Sequence, residues 1–240
     1  MLAEKYLTEA LLLTKLNRLN EVSAALDEVC QLPLAAGHEH LFVVLVKELH
    51  QKGQSWQVKE VLERHRELAE LVGMSISPSF VLRVFELIEE SKVSELVELL
   101  SEDYEGPSCD PSWQWHLIGW ALRQFGKDAV EQILQQWRTV KLPTQKAIYT
   151  FLLLPDERCW EQAWQLLLAD QNIASRKTAV YALLHGDKEA RKFVKEKMDS
   201  PNEDERELAQ WLVQECQRAI DSPIEWKGLS LWEGLFVEDF

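Results

Sequence analysis

Residues 172–213 read NIASRKTAVYALLHGDKEARKFVKEKMDSPNEDERELAQWLV. Two apolar hexamers inside this stretch, AVYALL at 179–184 and LAQWLV at 208–213, begin 29 residues apart. The beat continues toward the N-terminus. AIYTFL at 147–152 comes 32 residues earlier, and LIGWAL at 117–122 a further 30 before that. A repeat near this length, in helix-forming composition, predicts stacked helix pairs rather than a closed catalytic fold. The second helix of each pair keeps step as well. Ile133, Leu134 and Trp137 stand 30 residues before Ala163, Trp164 and Leu167, and Ala163 and Trp164 stand 30 before Phe193 and Val194. Such pairs bury their apolar faces only against neighbouring pairs, so the apolar positions must recur in register.

Turn residues place the helix ends. Residues 112–125 and 128–139 pair across Gly126 and Lys127, and 143–153 and 157–169 across Leu154, Pro155 and Asp156. Residues 174–184 and 187–199 pair across His185 and Gly186, and 203–219 form a last long helix. The chain before residue 101 is helical by apolar spacing but lacks the beat. Its expected helices span 3–16, 20–31, 39–51, 56–72, 78–90 and 91–101. Ser55 and Ser77 are N-cap candidates, with Pro78 at the favoured first position. SEDYEGPSCDPS at 101–112 is the best internal boundary, either a loop between repeats or a linker. The expected organisation is an acidic helical region over 1–100, repeats over 113–219 and an acidic-aromatic strap over 220–240. The expected fold is all-α, a right-handed solenoid of roughly four helix pairs behind an irregular N-terminal helical region. The helices near 144–153, 174–184 and 203–216 are expected to line a concave face.

The opening stretch resembles HEAT-type repeats, in particular the short version of about 30 residues found in phycobilisome lyases. Asp170, Arg176, Ala179, Ala182, Leu183, Gly186 and Asp187 match one unit of that pattern. Asp199, Arg206 and Ala209 match the next, where Trp211 replaces a small residue. The resemblance is good over about 165–217, fair over 113–164 and weak before 101. It implies a solenoid, with the Asp and Arg positions forming a ladder between neighbouring units. Two activities come with it as alternatives: a chromophore lyase or chaperone, and, by comparison with HEAT-like enzymes of similar length, a DNA glycosylase. Repeats of this kind serve many unrelated tasks, so no chemistry follows from the architecture.

Charge narrows the choice. The net charge is −14, which opposes the counterion-release binding of nucleic acid and docking on an anionic membrane. Residues 1–112 sum to −10, 113–200 to +3 and 201–240 to −7. This field keeps a protein soluble and suits a basic partner. No stretch approaches the roughly 20 apolar residues of a membrane span, and the N-terminus lacks the pattern of a secretory leader. The four cysteines, Cys30, Cys109, Cys159 and Cys216, form no CxxC, as befits free thiols in a reducing, cytoplasmic setting.

Few constellations suggest chemistry. His38-Glu39-His40 is a weak metal motif without a partnered acidic ligand, and HExxH, GxSxG and phosphate-cradling glycine loops are absent. No cofactor or enzymatic activity is expected. Seven of the ten tryptophans fall between Trp113 and Trp211. Most occupy repeat-core positions and read as packing, whereas Trp113 and Trp115 are least regular and are expected at the surface. Lys188, Arg191, Lys192 and Lys195 can share a face of the one locally basic helix, in a stretch that also holds Glu189 and Glu196. The expected function is therefore a non-enzymatic protein-binding adaptor or inhibitor, with Trp113, Trp115, Lys188 and Lys192 as surface contacts. The apolar residues of 222–240 either cap the last repeat or dock to a partner.

Overall fold

The computed structural model describes residues 2–32, 39–71, 77–102 and 112–221. The described residues are helical, with turns between and no strand. The expected 222–240 strap, most of the 101–112 boundary and the side chains of His38, Glu39 and His40 lie outside them.

Two compact units divide the chain: Met1–Glu90 with Tyr104–Trp113, and Ser91–Asp103 with Gln114–Phe240. The first holds α1 (Leu2–Lys15), α2 (Leu19–Cys30), α3 (Glu39–Gln51), α4 (Ser55–Leu71) and α5 (Pro78–Glu89). Here α1 packs on α2 and α3, and α4 on α2, α3 and α5. Leu7, Val22, Leu26, Val43 and Leu62 fill the interior. Ser77 caps α5 by accepting a hydrogen bond from Phe80 N at 3.3 Å, with Pro78 at the first helical position.

The second unit holds α6 (Val93–Leu99), most of α7 (Ser112–Arg123), α8 (Lys127–Gln136), α9 (Thr144–Leu153), α10 (Glu157–Ala169), α11 (Ile173–His185), α12 (Lys188–Glu196) and α13 (Glu203–Asp221). A 3-10 turn, Lys197–Asp199, follows α12. α9 lies on α10 and α11, α11 on α12 and α13, and α10 and α12 on each other and on α13, while α6 packs on α8.

Side-chain caps start four successive helices. Asp156, Asn172, Asp187 and Asn202 each accept a hydrogen bond from the backbone N–H two residues on, at 3.0, 2.9, 3.2 and 2.9 Å. They begin α10, α11, α12 and α13 in turn. Each satisfies a donor that a helix N-terminus otherwise leaves unpaired.

One expectation changes here. α9 does not line an open face, because every residue from Lys146 to Leu153 is buried. Two of its polar positions find partners inside: Lys146 Nζ donates to Glu102 O at 2.9 Å, and Tyr149 Oη lies 3.0 Å from His116 Nδ1. The His116 ring in turn lies 4.5 Å from that of His185.

Three carboxylates sit below their ordinary range. Glu205 is held down first by the Ser200 hydroxyl and then by the Trp164 indole N–H. Asp170 is lowered by the Ser175 hydroxyl, and Asp156 by the Arg158 guanidinium. A carboxylate depressed in the folded state contributes stability above its unfolded pKa and loses it as pH falls through the folded value. The expected result is a melting temperature that is flat near neutrality and falls on acidification below the usual carboxylate range. The deficit of the double variant Asp170→Asn/Glu205→Gln against the parent chain should shrink in the same window. Thermal melts at neutral and acidic pH check this, and a deficit that grows on acidification would contradict the sign.

Candidate functional site

The four residues expected as surface contacts separate. Trp113 is a correction, being 0% exposed and set edge-on to Phe80 at 5.6 Å in the first unit. Its helical neighbours Gln114 and His116 are buried as well, so this stretch of α7 is enclosed despite its polar residues. Trp115 is half-buried in the second unit against Tyr149, at 6.1 Å. Lys188 and Lys192 are exposed on α12, opposite the buried Ala190, Phe193 and Val194.

The basic face of α12 is narrower than its sequence suggests. Arg191 turns inward, donating to Leu183 O at 3.0 Å and Gly186 O at 3.3 Å at the end of α11. There it serves as a cationic C-cap that also complements the helix dipole. Lys192 stands between Glu189 and Glu196, 3.9 Å from each. Such a face is charge-mixed and surface-exposed, and pairs of this kind contribute little energy.

The Asp–Arg ladder implied by the repeat pattern is not formed at these positions. Asp170 accepts from Ser175 Oγ at 2.5 Å and Asn172 N at 3.1 Å, all within its own turn. Arg206 donates to Ser200 O at 2.8 Å. Arg176 places its guanidinium over the Trp211 ring, 5.9 Å from the centroid. Ties between helices run elsewhere: Arg123 of α7 to Asp187 at the start of α12 at 2.5 Å, Lys197 after α12 to Glu161 of α10 at 2.7 Å, and Trp164 Nε1 of α10 to Glu205 Oε1 of α13 at 3.2 Å.

Trp211, which departs from the pattern, and Arg176, which matches it in sequence but pairs with the indole, line a candidate site in the second unit. A cleft of about 470 Å³ opens where the N-terminal turns of α11 and α13 meet the end of α10. Leu167 and Leu208 form its buried floor, and the half-buried Trp211 ring forms one wall. Arg176, Asp204 and Glu207 bring charge to it, with Gln171 and Asn202 as neutral polar groups. Ile173, 55% exposed, shares the Arg176 face of α11 three residues earlier.

The guanidinium is the strained element. Arg176 Nε is buried and has no hydrogen-bond acceptor among the described residues. A buried donor left unsatisfied costs about 1–3 kcal/mol. Its position adds to this, since a cation near a helix N-terminus opposes the dipole. Asn172 at the cap is neutral, and the first turn of α11 holds no acidic residue. Sequence reading passed over the cleft because it saw Arg176 as a ladder residue and Trp211 as an irregularity. The usable signal was Trp211, which stands where the pattern has a small residue.

Other titratable groups make no comparable constellation. In the first unit Ser55 Oγ lies 2.8 Å from His50 Nδ1, and His65 Nε2 lies 2.8 Å from Asp27 Oδ1. A Ser–His–Asp relay needs one imidazole to bridge hydroxyl and carboxylate, and here separate histidines hold the two. Asp27 also binds Arg64 at 2.8 Å. Among the described residues no three His, Cys, Asp or Glu side chains gather as a metal site. Nor is any helix among the described residues long and apolar enough to cross a membrane. Cys30, Cys159 and Cys216 are buried free thiols, and burial pushes Cys30 and Cys159 up to about 12 and Cys216 further. These are inert packing residues, since reactivity requires the thiolate. No protein-family model, curated protein or solved structure matches the chain.

Proposed function

We propose that the chain is a non-enzymatic protein-binding module, an adaptor or inhibitor in the reducing cytoplasm, built on a right-handed solenoid of HEAT-like helix pairs. The in-step packing of α9 through α13 and the caps at Asp156, Asn172, Asp187 and Asn202 support the solenoid. One observation carries the binding role. The cleft at Trp211 sets a partly exposed indole among the charged side chains of Arg176, Asp204 and Glu207. Tryptophan and arginine are enriched among the residues that dominate binding at protein interfaces. The groups in this cleft hold and orient a ligand; none forms a nucleophile–base pair.

Panning a displayed random-peptide library on the full chain and on Trp211→Ala tests this reading. Enrichment of related sequences on the parent chain, lost on the variant, is the expected outcome. Equal enrichment on both, or none on either, would remove the cleft as the binding site.

A further inference from the structure

Five large hydrophobic side chains are exposed among the described residues, and three of them stand on α1: Leu2, Leu12 and Leu16, at 59%, 48% and 59%. Leu16 keeps the helical course one residue past the end of α1, its N–H bonding to Leu12 O at 2.9 Å. At about 3.6 residues per turn, Leu2, Lys5, Glu9, Leu12 and Leu16 fall within a stripe about 80° wide. All five are exposed. The opposite side of α1 carries the buried Ala3, Leu7, Ala10, Leu11 and Thr14 and packs on α2 and α3. Single exposed leucines are ordinary, whereas a contiguous apolar stripe marks an interaction face.

We propose that this stripe pairs with the same stripe of a second copy of the chain, the two α1 helices running antiparallel about a two-fold axis level with Leu7. Leu2 of each copy then meets Leu12 of the other, and Lys5 meets Glu9. Leu16, one turn beyond Leu12, leans back over Leu2 of the second copy, since helical side chains tilt toward the N-terminus.

A surface that binds its own copy must be self-complementary, so that where one residue meets another the reverse contact is also made. The stripe meets this condition. Leu2 and Leu12 are equidistant in sequence from Leu7, and so are Lys5 and Glu9. One register therefore sets leucine on leucine and ammonium against carboxylate, each twice. The parallel arrangement fails, because it sets Lys5 against Lys5 and Glu9 against Glu9. Both charges are open to a second copy: Lys5 reaches only toward the Tyr6 ring, 5.6 Å from its centroid, and Glu9 has no ion-pair partner among the described residues. The net charge of −14 opposes association of two copies, but that charge is spread over the surface and screened beyond about 8 Å at physiological ionic strength, while the stripe itself is neutral. A helix of 14 residues is only about 21 Å long, so the contact lies at the small end of specific interfaces and the dimer is reversible. The stripe belongs to the first unit and the Trp211 cleft to the second, so dimerisation does not depend on the protein-binding reading.

Sedimentation equilibrium of the full chain at physiological ionic strength tests the proposal. The mass should rise with concentration from 27.9 kDa toward twice that value. Leu12→Lys/Leu16→Lys should raise the dissociation constant roughly ten-fold or more. Trp56→Ala, at a similarly exposed position on α4, should leave it unchanged. Charge reversal reads the register. Lys5→Glu and Glu9→Lys each set like charges together and should weaken pairing. An equimolar mixture of these two variants should associate again, because both of its cross-pairs are opposite in sign, and the double variant Lys5→Glu/Glu9→Lys should pair as the parent chain does. Far-UV circular dichroism verifies that each variant keeps its helicity. A chain that stays monomeric at every concentration overturns the proposal, as does a dimer that survives Leu12→Lys/Leu16→Lys. A mixture that associates no better than either variant alone overturns the antiparallel pairing. Binding of a labelled 222–240 peptide that Leu12→Lys/Leu16→Lys abolishes would also overturn it, by assigning the stripe to the chain's own acidic-aromatic segment.

Discussion

Trp164→Ala should destabilise the chain by about 3–5 kcal/mol, the range for removing a fully enclosed tryptophan. Trp164 is 1% exposed, and it joins three helices. Its ring meets Phe193 of α12 at 6.1 Å in an edge arrangement, its Nε1 donates to Glu205 of α13 at 3.2 Å, and its backbone belongs to α10. Lys197, which pairs with Glu161 on α10, reaches over the same ring at 5.8 Å. Truncation to alanine leaves a cavity the helices cannot close without parting from one another. Trp164→Phe should retain most of the packing and lose the hydrogen bond, about 1–2 kcal/mol. Trp56→Ala is the control, because Trp56 is 54% exposed and a surface change of this kind usually stays within about 0.5 kcal/mol. Urea unfolding followed by circular dichroism separates the three. Equal losses for Trp164→Ala and Trp56→Ala would mean that Trp164 does not hold the helix pairs together.

That contrast shows which part of the molecule was legible in its sequence. Helix ends were legible because they depend on local chemistry. The caps at Asp156, Asn172 and Asp187 and the breaks at Gly126, Pro155 and Gly186 act within a few residues of themselves. The packing role of Trp160 and Trp164 was legible as well, because both fall on a recurring apolar position. Exposure was less legible, since periodicity marks the apolar side of a helix without saying what covers the polar side. In α9, expected to line a concave face, even the polar Lys146 and Thr150 are buried. Lys146 is accommodated because its long stem carries the ammonium to Glu102 O. Trp113 was misjudged for the same reason, its neighbours Gln114 and His116 being polar but enclosed.

The candidate site was the least legible part. Its residues come from three stretches, Leu167 to Gln171, Arg176, and Asn202 to Trp211. What unites them is a side-chain choice that spacing does not reveal: Arg176 lies on Trp211 while Asp170 is occupied by Ser175. The same choice was made at Arg191, which left its basic face to cap α11. Arginine has five donors on a long stem, so its partner is settled by whichever acceptors or rings the packed helices bring within reach. A repeat pattern can place an arginine without fixing what it binds.

Gly186→Ala should be the most damaging of the small substitutions, at about 2–4 kcal/mol. The backbone of Gly186 has φ −85°, which any residue can adopt, so the demand is for space. A Cβ there would lie 2.7 Å from Ala182 O and 3.1 Å from Leu152 O. Both are backbone atoms, held by α11 and by the end of α9, so no side-chain rotation relieves the contact. Relief requires the backbone at Gly186 to turn away from the last turn of its own helix α11, and α9 and α11 to separate, and α9 is buried from Lys146 to Leu153. Gly119→Ala is the informative comparison. Its Cβ would meet Leu153 Cδ1 at a still shorter 2.5 Å, but that atom ends a rotatable side chain, so the expected loss is below about 1.5 kcal/mol. Denaturant unfolding of both variants should therefore rank them against their raw contact distances. A Gly119→Ala loss equal to that of Gly186→Ala would show that side-chain adjustment is as restricted as backbone movement. A Gly186→Ala loss near zero would show that the α9–α11 approach is looser than 3.1 Å implies. The neighbouring Asp187 gives the same turn a second role. Gly186 lets one helix pair close on the previous one, while Asp187 starts α12 and binds Arg123 of α7 at 2.5 Å. Displacing the glycine backbone would move that carboxylate as well, so packing and inter-helix pairing fail together at this turn.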